Sequence, residues 1–139
     1  MRVLAIDFGL KRTGLAVTDP LRIIASALET VETKALIDYL KKYVVKEQVD
    51  GFVVGLPVNL NGAATDATPH VQAFIKELKR HLPNHWVETV DERFSSTMAK
   101  QTLLDSGAGK MNRRDKGTLD RISATILLQG WLQQQDQRR

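Results

Sequence analysis

Residues 2–19 are RVLAIDFGLKRTGLAVTD, and the fold expected for the whole chain is inferred from this segment outward. Val3–Ile6 is a short apolar run typical of a buried strand, and Asp7 follows it directly. A turn containing glycine and basic residues comes next, and Leu15–Val17 begins a returning strand. The pattern predicts a β-hairpin whose first strand ends in a carboxylate. Either Asp7 caps the turn through nearby backbone, or it belongs to a site, because a buried lone carboxylate is costly.

Composition restricts the class of protein. The length of 139 residues suits one domain, and 42% hydrophobic with 26% charged residues is typical of a globular rather than a disordered chain. The absence of cysteine excludes disulfides and thiolate sites. No apolar run approaches the length of a membrane span and Met1 leads straight into a strand, so we expect a cytoplasmic protein with no membrane partner. The net charge of +4 mildly favours a polyanionic partner.

Strands and helices alternate after the hairpin. We expect a third strand within 21–31 around Ile23-Ile24-Ala25, followed by an amphipathic helix from Leu36 to beyond Val44. Next come a strand at 51–56, a helix from Thr68 to Leu82 and a strand at 86–90. Two further helices are expected, from about 95 to 105 and at about 118–135. This order predicts an α/β fold with a mixed central sheet flanked by helices, in a single domain over 1–139. The three histidines show no ligand spacing and are expected at the surface.

Two loops are candidates for binding. Residues 57–68 leave the end of a predicted strand and contain Asn61-Gly62, which suits a turn. Residues 110–116 are KMNRRDK and contain four basic residues. Each segment is either an ordinary solvated connection or a binding surface carried by a rigid scaffold.

Asp120 is the most informative carboxylate, because it shares one helical stripe with Ala124, Leu127 and Trp131. A carboxylate on this stripe faces the protein body, where it needs a cation or several donors. One explanation is an ion pair with Lys116, Arg121 or Arg93.

The other explanation is that Asp120 meets Asp7 and either Asp91 or Glu92, which follow a predicted strand. Carboxylate oxygens suit Mg²⁺ or Mn²⁺. Two such ions assist phosphodiester hydrolysis by activating water and stabilising the leaving oxygen.

Four segments, spread in order over nearly the whole chain, resemble the YqgF/RuvX family. They are AIDFGLKRTGLAVTD (5–19), Val54-Gly55-Leu56-Pro57 with Asn61-Gly62, DERFSST (91–97) and KGTLDRISA (116–124). The family has an RNase H-like fold, is related to Holliday-junction resolvases, and comprises nucleases described as maturing the 5′ end of pre-16S rRNA.

The resemblance implies a site and a partner. Asp7, Glu92 and Asp120 would be the catalytic acids and the ligands of Mg²⁺ or Mn²⁺, with Asp91 as an adjacent helper or substitute. The substrate would be structured RNA of the small ribosomal subunit precursor, processed by a monomer or weak dimer. The expected nucleic-acid-binding residues are Lys11, Arg12, Asn61, Arg93, Lys110, Arg113, Arg114 and Lys116.

The chain departs from the resolvase relatives at two positions. They carry an acid at the end of the strand that here finishes Gly55-Leu56-Pro57, and usually a second acid on the last helix, where this chain has Ser123. Both departures disfavour junction resolution. Two alternatives stay open: a resolvase-like DNase acting on branched DNA, and a catalytically idle RNA-binding assembly factor. An actin-like or sugar-kinase ATPase would need two domains, for which 139 residues are too few.

Overall fold

The structure is a computed structural model that describes residues 1–56, 68–91 and 116–137. For residues 91, 116–120 and 136–137 the description extends to the backbone alone. The prediction of a single domain over 1–139 therefore stays a prediction.

Five strands form one mixed sheet. They are β1 (Arg2–Asp7), β2 (Arg12–Thr18), β3 (Ala25–Glu32), β4 (Val49–Leu56) and β5 (Trp86–Asp91), in the spatial order β3-β2-β1-β4-β5. β1 and β2 pair antiparallel, as do β2 and β3. β4 pairs parallel with both β1 and β5. The α/β prediction with a mixed sheet opened by a hairpin is confirmed.

Three described helices cover the sheet. They are α1 (Leu36–Lys46), which follows a 3₁₀ turn at Thr33–Ala35, α2 (Thr68–His81) and α3 (Lys116–Gln137). Within the described parts of the chain, no helix is long and apolar enough to cross a membrane.

The side chains of β1 alternate between two cores, as expected for a strand buried on both faces. Leu4 and Ile6 point to the face covered by α1 and α2, in a core with Leu36, Leu40, Phe52, Val71, Phe74 and Leu78. Val3 and Ala5 point to the face covered by α3, in a core with Ala16, Val53, Ala124, Leu127, Leu128 and Trp131.

The parallel strands β1, β4 and β5 end together at one edge of the sheet, which we call the carboxyl edge and define by Asp7, Leu56 and Asp91. Ile6 is in register with Val54, and Leu56 is in register with Asp91. All three strands therefore present their last residues at nearly the same level, although Asp7 and Asp91 are separated by β4.

Trp86 ties the opposite edge of the sheet to α3. Its ring stacks on that of Trp131, with centroids 5.6 Å apart, and its Nε1 donates to Asp50 Oδ2 at 3.0 Å. The same carboxylate pairs with Arg22. Gly51 lies under the indole, where a Cβ would come within 2.1 Å of Trp86 Cδ2. The glycine therefore allows the ring to lie across β4.

Three sequence expectations are corrected. The strand expected around Ile23-Ile24 begins only at Ala25, and both isoleucines are exposed. The reason is Asp19, whose Oδ1 accepts hydrogen bonds from the backbone N–H groups of Ile23 and Ile24 at 2.7 and 2.8 Å and holds a turn there. His85, expected at the surface, is half-buried against Phe52.

The third correction concerns Lys116, which the sequence pattern places in the basic loop, the name we give to residues 110–116. It is the first residue of α3. The helix thus starts two residues before the expected position and extends to Gln137.

Candidate functional site at the carboxyl edge

Asp7 is placed by the alternation of β1. Val3 and Ala5 pack against α3, so Asp7, two residues further along the strand, continues on the same face. The next residue, Phe8, belongs to the other face, where its ring lies 5.1 Å from that of Phe74. Asp7 is half-buried. The sequence thus holds this carboxylate at the carboxyl edge, on the α3 side.

The turn after Asp7 is held by a small hydrogen-bond network. Thr13, fully buried, lies 2.9 Å from Thr33 through the two hydroxyl oxygens. Thr33 Oγ1 also donates to Gly9 O at 2.5 Å, and Thr33 N–H donates to Lys11 O at 2.9 Å. A Cβ on Gly9 would meet Arg12 O at 2.2 Å. The turn is therefore compact, and glycine is required at its start.

This turn presents two of the predicted phosphate-binding residues beside the carboxyl edge. Lys11 and Arg12 are exposed. Together with Leu10, Glu32 and Lys34 they line a cleft of about 500 Å³. Lys34 pairs with Glu32 at 3.4 Å on the surface. The cleft thus joins the first turn of the hairpin to the segment that leads into α1.

The early part of α3 lies over the same end of the sheet. Arg121 Nη1 donates to Thr30 Oγ1 at 3.5 Å. Thr30 is in register with Gly14, and Gly14 is in register with Asp7. Arg121 therefore anchors α3 to the row of residues that contains Asp7, while Trp131 anchors it near the opposite edge.

The stripe predicted for α3 is confirmed where its side chains are described. Ala124, Leu127 and Trp131 are all buried against the sheet. Asp120 is the fifth residue of α3 and precedes Arg121 directly. Its backbone position is therefore near the carboxyl edge, and its side chain lies outside the described ones.

The remaining predicted site residues divide into two groups. Asp91 ends β5, where its backbone pairs with Leu56. The residues outside the described ranges are Glu92, Asn61, Arg93, Lys110, Arg113 and Arg114. Among the side chains of the described parts, no group of three histidine, cysteine, aspartate or glutamate residues could hold a metal ion. Of the proposed ligands, Asp7 alone has a described side chain.

The sequence analysis did not identify Thr13, Thr33, Thr30 or Arg121 as supports of this edge. Their contacts join residues between 20 and 91 positions apart. A local pattern carries no signal for such pairs, except that a threonine within an apolar strand, such as Thr13, indicates a buried hydroxyl that needs a partner.

Solved structures share this architecture. A fowlpox virus resolvase, in a complex with Holliday junction DNA, superposes with a TM-score of 0.63 at 12% identity, covering 97% of this chain and 99% of that one. RuvC from T. thermophilus, in complex with a Holliday junction substrate, gives 0.59 at 14% identity and covers 91% of each chain. The fold is therefore the RNase H-like fold of the resolvases.

The sequence itself identifies the family within that class. The family model described as "RuvX: Holliday junction resolvase" matches residues 1–134. A protein of Porphyromonas gingivalis named "Putative pre-16S rRNA nuclease" is 48% identical over 135 residues, covering 97% of this chain and 98% of the relative. A Flavobacterium johnsoniae protein of the same name is 48% identical over 131 residues, covering 94% and 95%. The chain belongs to the RuvX family, a family of nucleases.

Proposed function

We propose that this protein is a divalent-metal-dependent phosphodiesterase that hydrolyses structured RNA and processes the 5′ end of pre-16S rRNA. Its RuvX relatives are named for that substrate. The observation that carries the proposal is the position of Asp7, at the carboxyl edge and on the face against which α3 packs.

Asp7, Glu92 and Asp120 are proposed as the ligands. Arg121 contacts Thr30 in the row that contains Asp7, which supports a place for Asp120 near this edge. Three carboxylates would form an all-oxygen donor set, which fits Mg²⁺ or Mn²⁺. Bound there, the metal would activate a water molecule and stabilise the leaving oxygen.

The register of β5 favours Glu92 over Asp91 as the ligand. Trp86 and Val90 contact the core on the α3 side, and alternate residues of a strand share one face. If this alternation continues for two more residues, residue 92, rather than residue 91, lies on the same face of the sheet as Asp7. Glu92 lies outside the described residues, so a variant of each acid decides between them.

The basic residues of the site would hold the substrate backbone. Lys11 and Arg12 are exposed on the turn next to Asp7, and contacts from such side chains to phosphates give affinity without sequence information. Water would add to phosphorus as the bond from phosphorus to the 3′ oxygen breaks. The proton passes to that oxygen, which leaves 5′-phosphate and 3′-hydroxyl ends.

Junction resolution is the second candidate, because the family model bears the resolvase description. Against it, β4 ends in Gly55 and Leu56, neither of which is an acid. Ser123, also not an acid, follows Asp120 by three residues on α3.

The experiment incubates purified protein with a 5′-extended pre-16S RNA, or with a four-way DNA junction, in Mg²⁺ or Mn²⁺, and maps the product ends. We expect cleavage of the RNA and none of the junction. Asp7→Asn, Glu92→Gln and Asp120→Asn should each abolish cleavage, and Asp91→Asn should retain most of it.

Asp38→Asn is the matched control, because this exposed carboxylate lies on α1, away from α3. If a variant of Asp7, Glu92 or Asp120 cleaves RNA at the wild-type rate, that residue is not part of the site. RNA binding without cleavage in either metal would favour the idle assembly factor, and cleavage of the junction alone would favour the DNase.

A further inference from the structure

The outer sides of α1 and α2 carry an amount of positive charge equal to the net charge of the whole protein. α1 contains three lysines and one aspartate. α2 contains two lysines, one arginine and one glutamate. Each helix therefore contributes +2 with histidine neutral, and the chain as a whole has +4. The rest of the molecule is balanced between acids and bases.

These charges lie on one continuous surface. α1 and α2 contact each other and cover the same face of the sheet. Most of their large apolar residues face inward, with Val45 as an exposed exception, and five exposed lysines lie on the outer side. We call this surface the basic layer and define it by Lys41, Lys42, Lys46, Lys76 and Lys79.

The basic layer is not neutralised within the described parts of the chain. None of its five lysines has an ion pair or a hydrogen bond there, whereas the acid among them on α2, Glu77, already pairs with Arg80 at 2.7 Å. The Arg80 guanidinium also lowers the pKa of Glu77, first through that hydrogen bond. The one acid of α2 is thus already engaged.

The layer also contains like-charge pairs that work against helix stability. Lys42 and Lys46 are four residues apart, and Lys76 and Lys79 are three apart. Like charges about one helical turn apart repel each other and destabilise isolated helices. A sequence that keeps such a conflict on two adjacent helices indicates a function, because a polyanion lying on the surface would relieve it.

The basic layer is connected to the carboxyl edge. The cleft lined by Lys11, Arg12 and Lys34 lies between the edge and the start of α1. α1 and α2 both run away from this edge, since each follows the end of a strand that points towards it. At 1.5 Å per residue, the five lysines lie about 8–17 Å along the helices.

We propose that the basic layer is a second RNA-binding surface, which holds substrate phosphates that lie beyond the cleft. The inference rests on the proposed function, because it takes RNA as the partner. The exposed ε-ammonium groups would bind the backbone as point charges and carry no sequence information. The surface would therefore select for structured RNA long enough to reach from the carboxyl edge across the cleft.

The test compares two triple variants with equal changes in net charge on opposite faces. Lys42→Gln, Lys46→Gln and Lys79→Gln remove three charges from the basic layer. Gln129→Glu, Gln133→Glu and Gln134→Glu, all exposed on α3, subtract three charges from the other face. Binding of a 5′-extended pre-16S RNA is measured over a range of salt concentrations, with EDTA present so that cleavage does not enter the comparison.

We expect the basic-layer variant to have a higher Kd and a log K versus log salt slope that is flatter by about two to three units, as three lost phosphate contacts require. The α3 variant should keep the wild-type slope. A cooperative melting transition in each variant, at a temperature no lower than that of the wild type for the basic-layer variant, verifies that both are folded.

If the basic-layer variant and the α3 variant have the same slope of log K against log salt concentration, the inference is wrong. The basic layer is then a solvated surface or a binding surface for an acidic protein. If the wild type binds no RNA at low salt, the proposed function falls together with the inference. If the wild type binds and cleaves RNA but the two variants behave alike, the inference alone is wrong.

Discussion

Arg121 of α3 donates a hydrogen bond to Thr30 of β3 across 3.5 Å and 91 positions of sequence. This contact aligns the start of the last helix with the row Asp7–Gly14–Thr30, which crosses three strands. The proposed site needs carboxylates from the first strand and the last helix, and this contact supports α3 beside the row that contains Asp7.

Thr30→Val removes this hydrogen bond and leaves the shape of the side chain nearly unchanged. Since a typical hydrogen bond contributes about 0.5–1.5 kcal/mol, we expect a small loss of stability and a clear fall in the RNA cleavage rate. Thr30→Ser keeps the hydroxyl and should restore the rate. Thr89→Val, at an exposed position of β5, is the control, and an equal loss of rate in that variant would contradict the positioning role.

Divalent metal should stabilise the folded protein through the proposed acids. A ligand at 100 times its Kd that binds the native state alone adds about 2.7 kcal/mol of stability. We expect Mg²⁺ or Mn²⁺ to raise the melting temperature of the wild type and of Asp38→Asn, but not of Asp7→Asn. Without metal, Asp7→Asn should melt at the same temperature or higher, because fewer carboxylates then repel one another. Calorimetry that detects no divalent binding at millimolar concentration, with or without RNA, would exclude the metal site.

The hairpin, the parallel strands and the buried stripe of α3 could be predicted from sequence because each depends on a local pattern. Short continuous apolar runs identified β1 and β2, and an apolar stripe with period 3.6 identified α3, without knowledge of their partners. Asp7 was placed correctly at a strand end for the same reason.

The predicted start of the third strand was wrong, because hydrogen bonds to the Asp19 side chain hold a turn where the apolar residues favoured a strand. Asp19 binds the N–H groups of Ile23 and Ile24, and Arg22 adopts a positive φ of 58°, which is uncommon for a residue other than glycine. The residue pattern left the alignment of α3 with the carboxyl edge as one of two alternatives, because the alignment depends on contacts such as Arg121 with Thr30 that no short segment contains.

Gly51→Ala should destabilise the protein without touching the proposed site. The added methyl group would overlap the indole of Trp86, which would have to leave its stack with Trp131. Overpacking of this kind costs about 1–3 kcal/mol. Urea unfolding should show the loss. Gly130→Ala is the control, because a Cβ there has no atom within 4 Å and alanine favours helix. A Gly51→Ala protein as stable as wild type would contradict the packing argument.

Asp50 should make stability depend on pH in the acid range. The hydrogen bond from Trp86, followed by the contacts with Arg22, lowers the pKa of Asp50 below 3.8 in the folded protein. A group with a lowered folded pKa contributes stability above its unfolded pKa and loses it as the pH falls through the folded value. Asp50→Asn should therefore be less stable than wild type at pH 6, and the gap should narrow below about pH 4. Asp38→Asn should show no comparable gap at pH 6, and a gap for Asp50→Asn that stays constant down to pH 2 would contradict the assignment.

The basic loop before α3 provides the last prediction. Lys110, Arg113 and Arg114 lie outside the described residues, but the chain enters α3 at Lys116, five residues before Arg121. If these three side chains bind phosphates beside the proposed acids, their replacement by glutamine should weaken RNA binding and flatten the salt slope by roughly two units. Cleavage at saturating RNA should persist, because contacts equally strong in the ground and transition states do not change kcat.

A protein that combines the loop variant with the basic-layer variant tests whether the two surfaces bind RNA independently. Two surfaces that contact different phosphates should reduce the salt slope additively, because independent sites contribute independent free energies. Lys116 stays intact in the loop variant, since it begins α3 and is an alternative partner for Asp120. An unchanged Kd and slope in the loop variant would mean that residues 110–114 face solvent away from the site. The substrate path would then follow Lys11, Arg12 and the 57–68 loop.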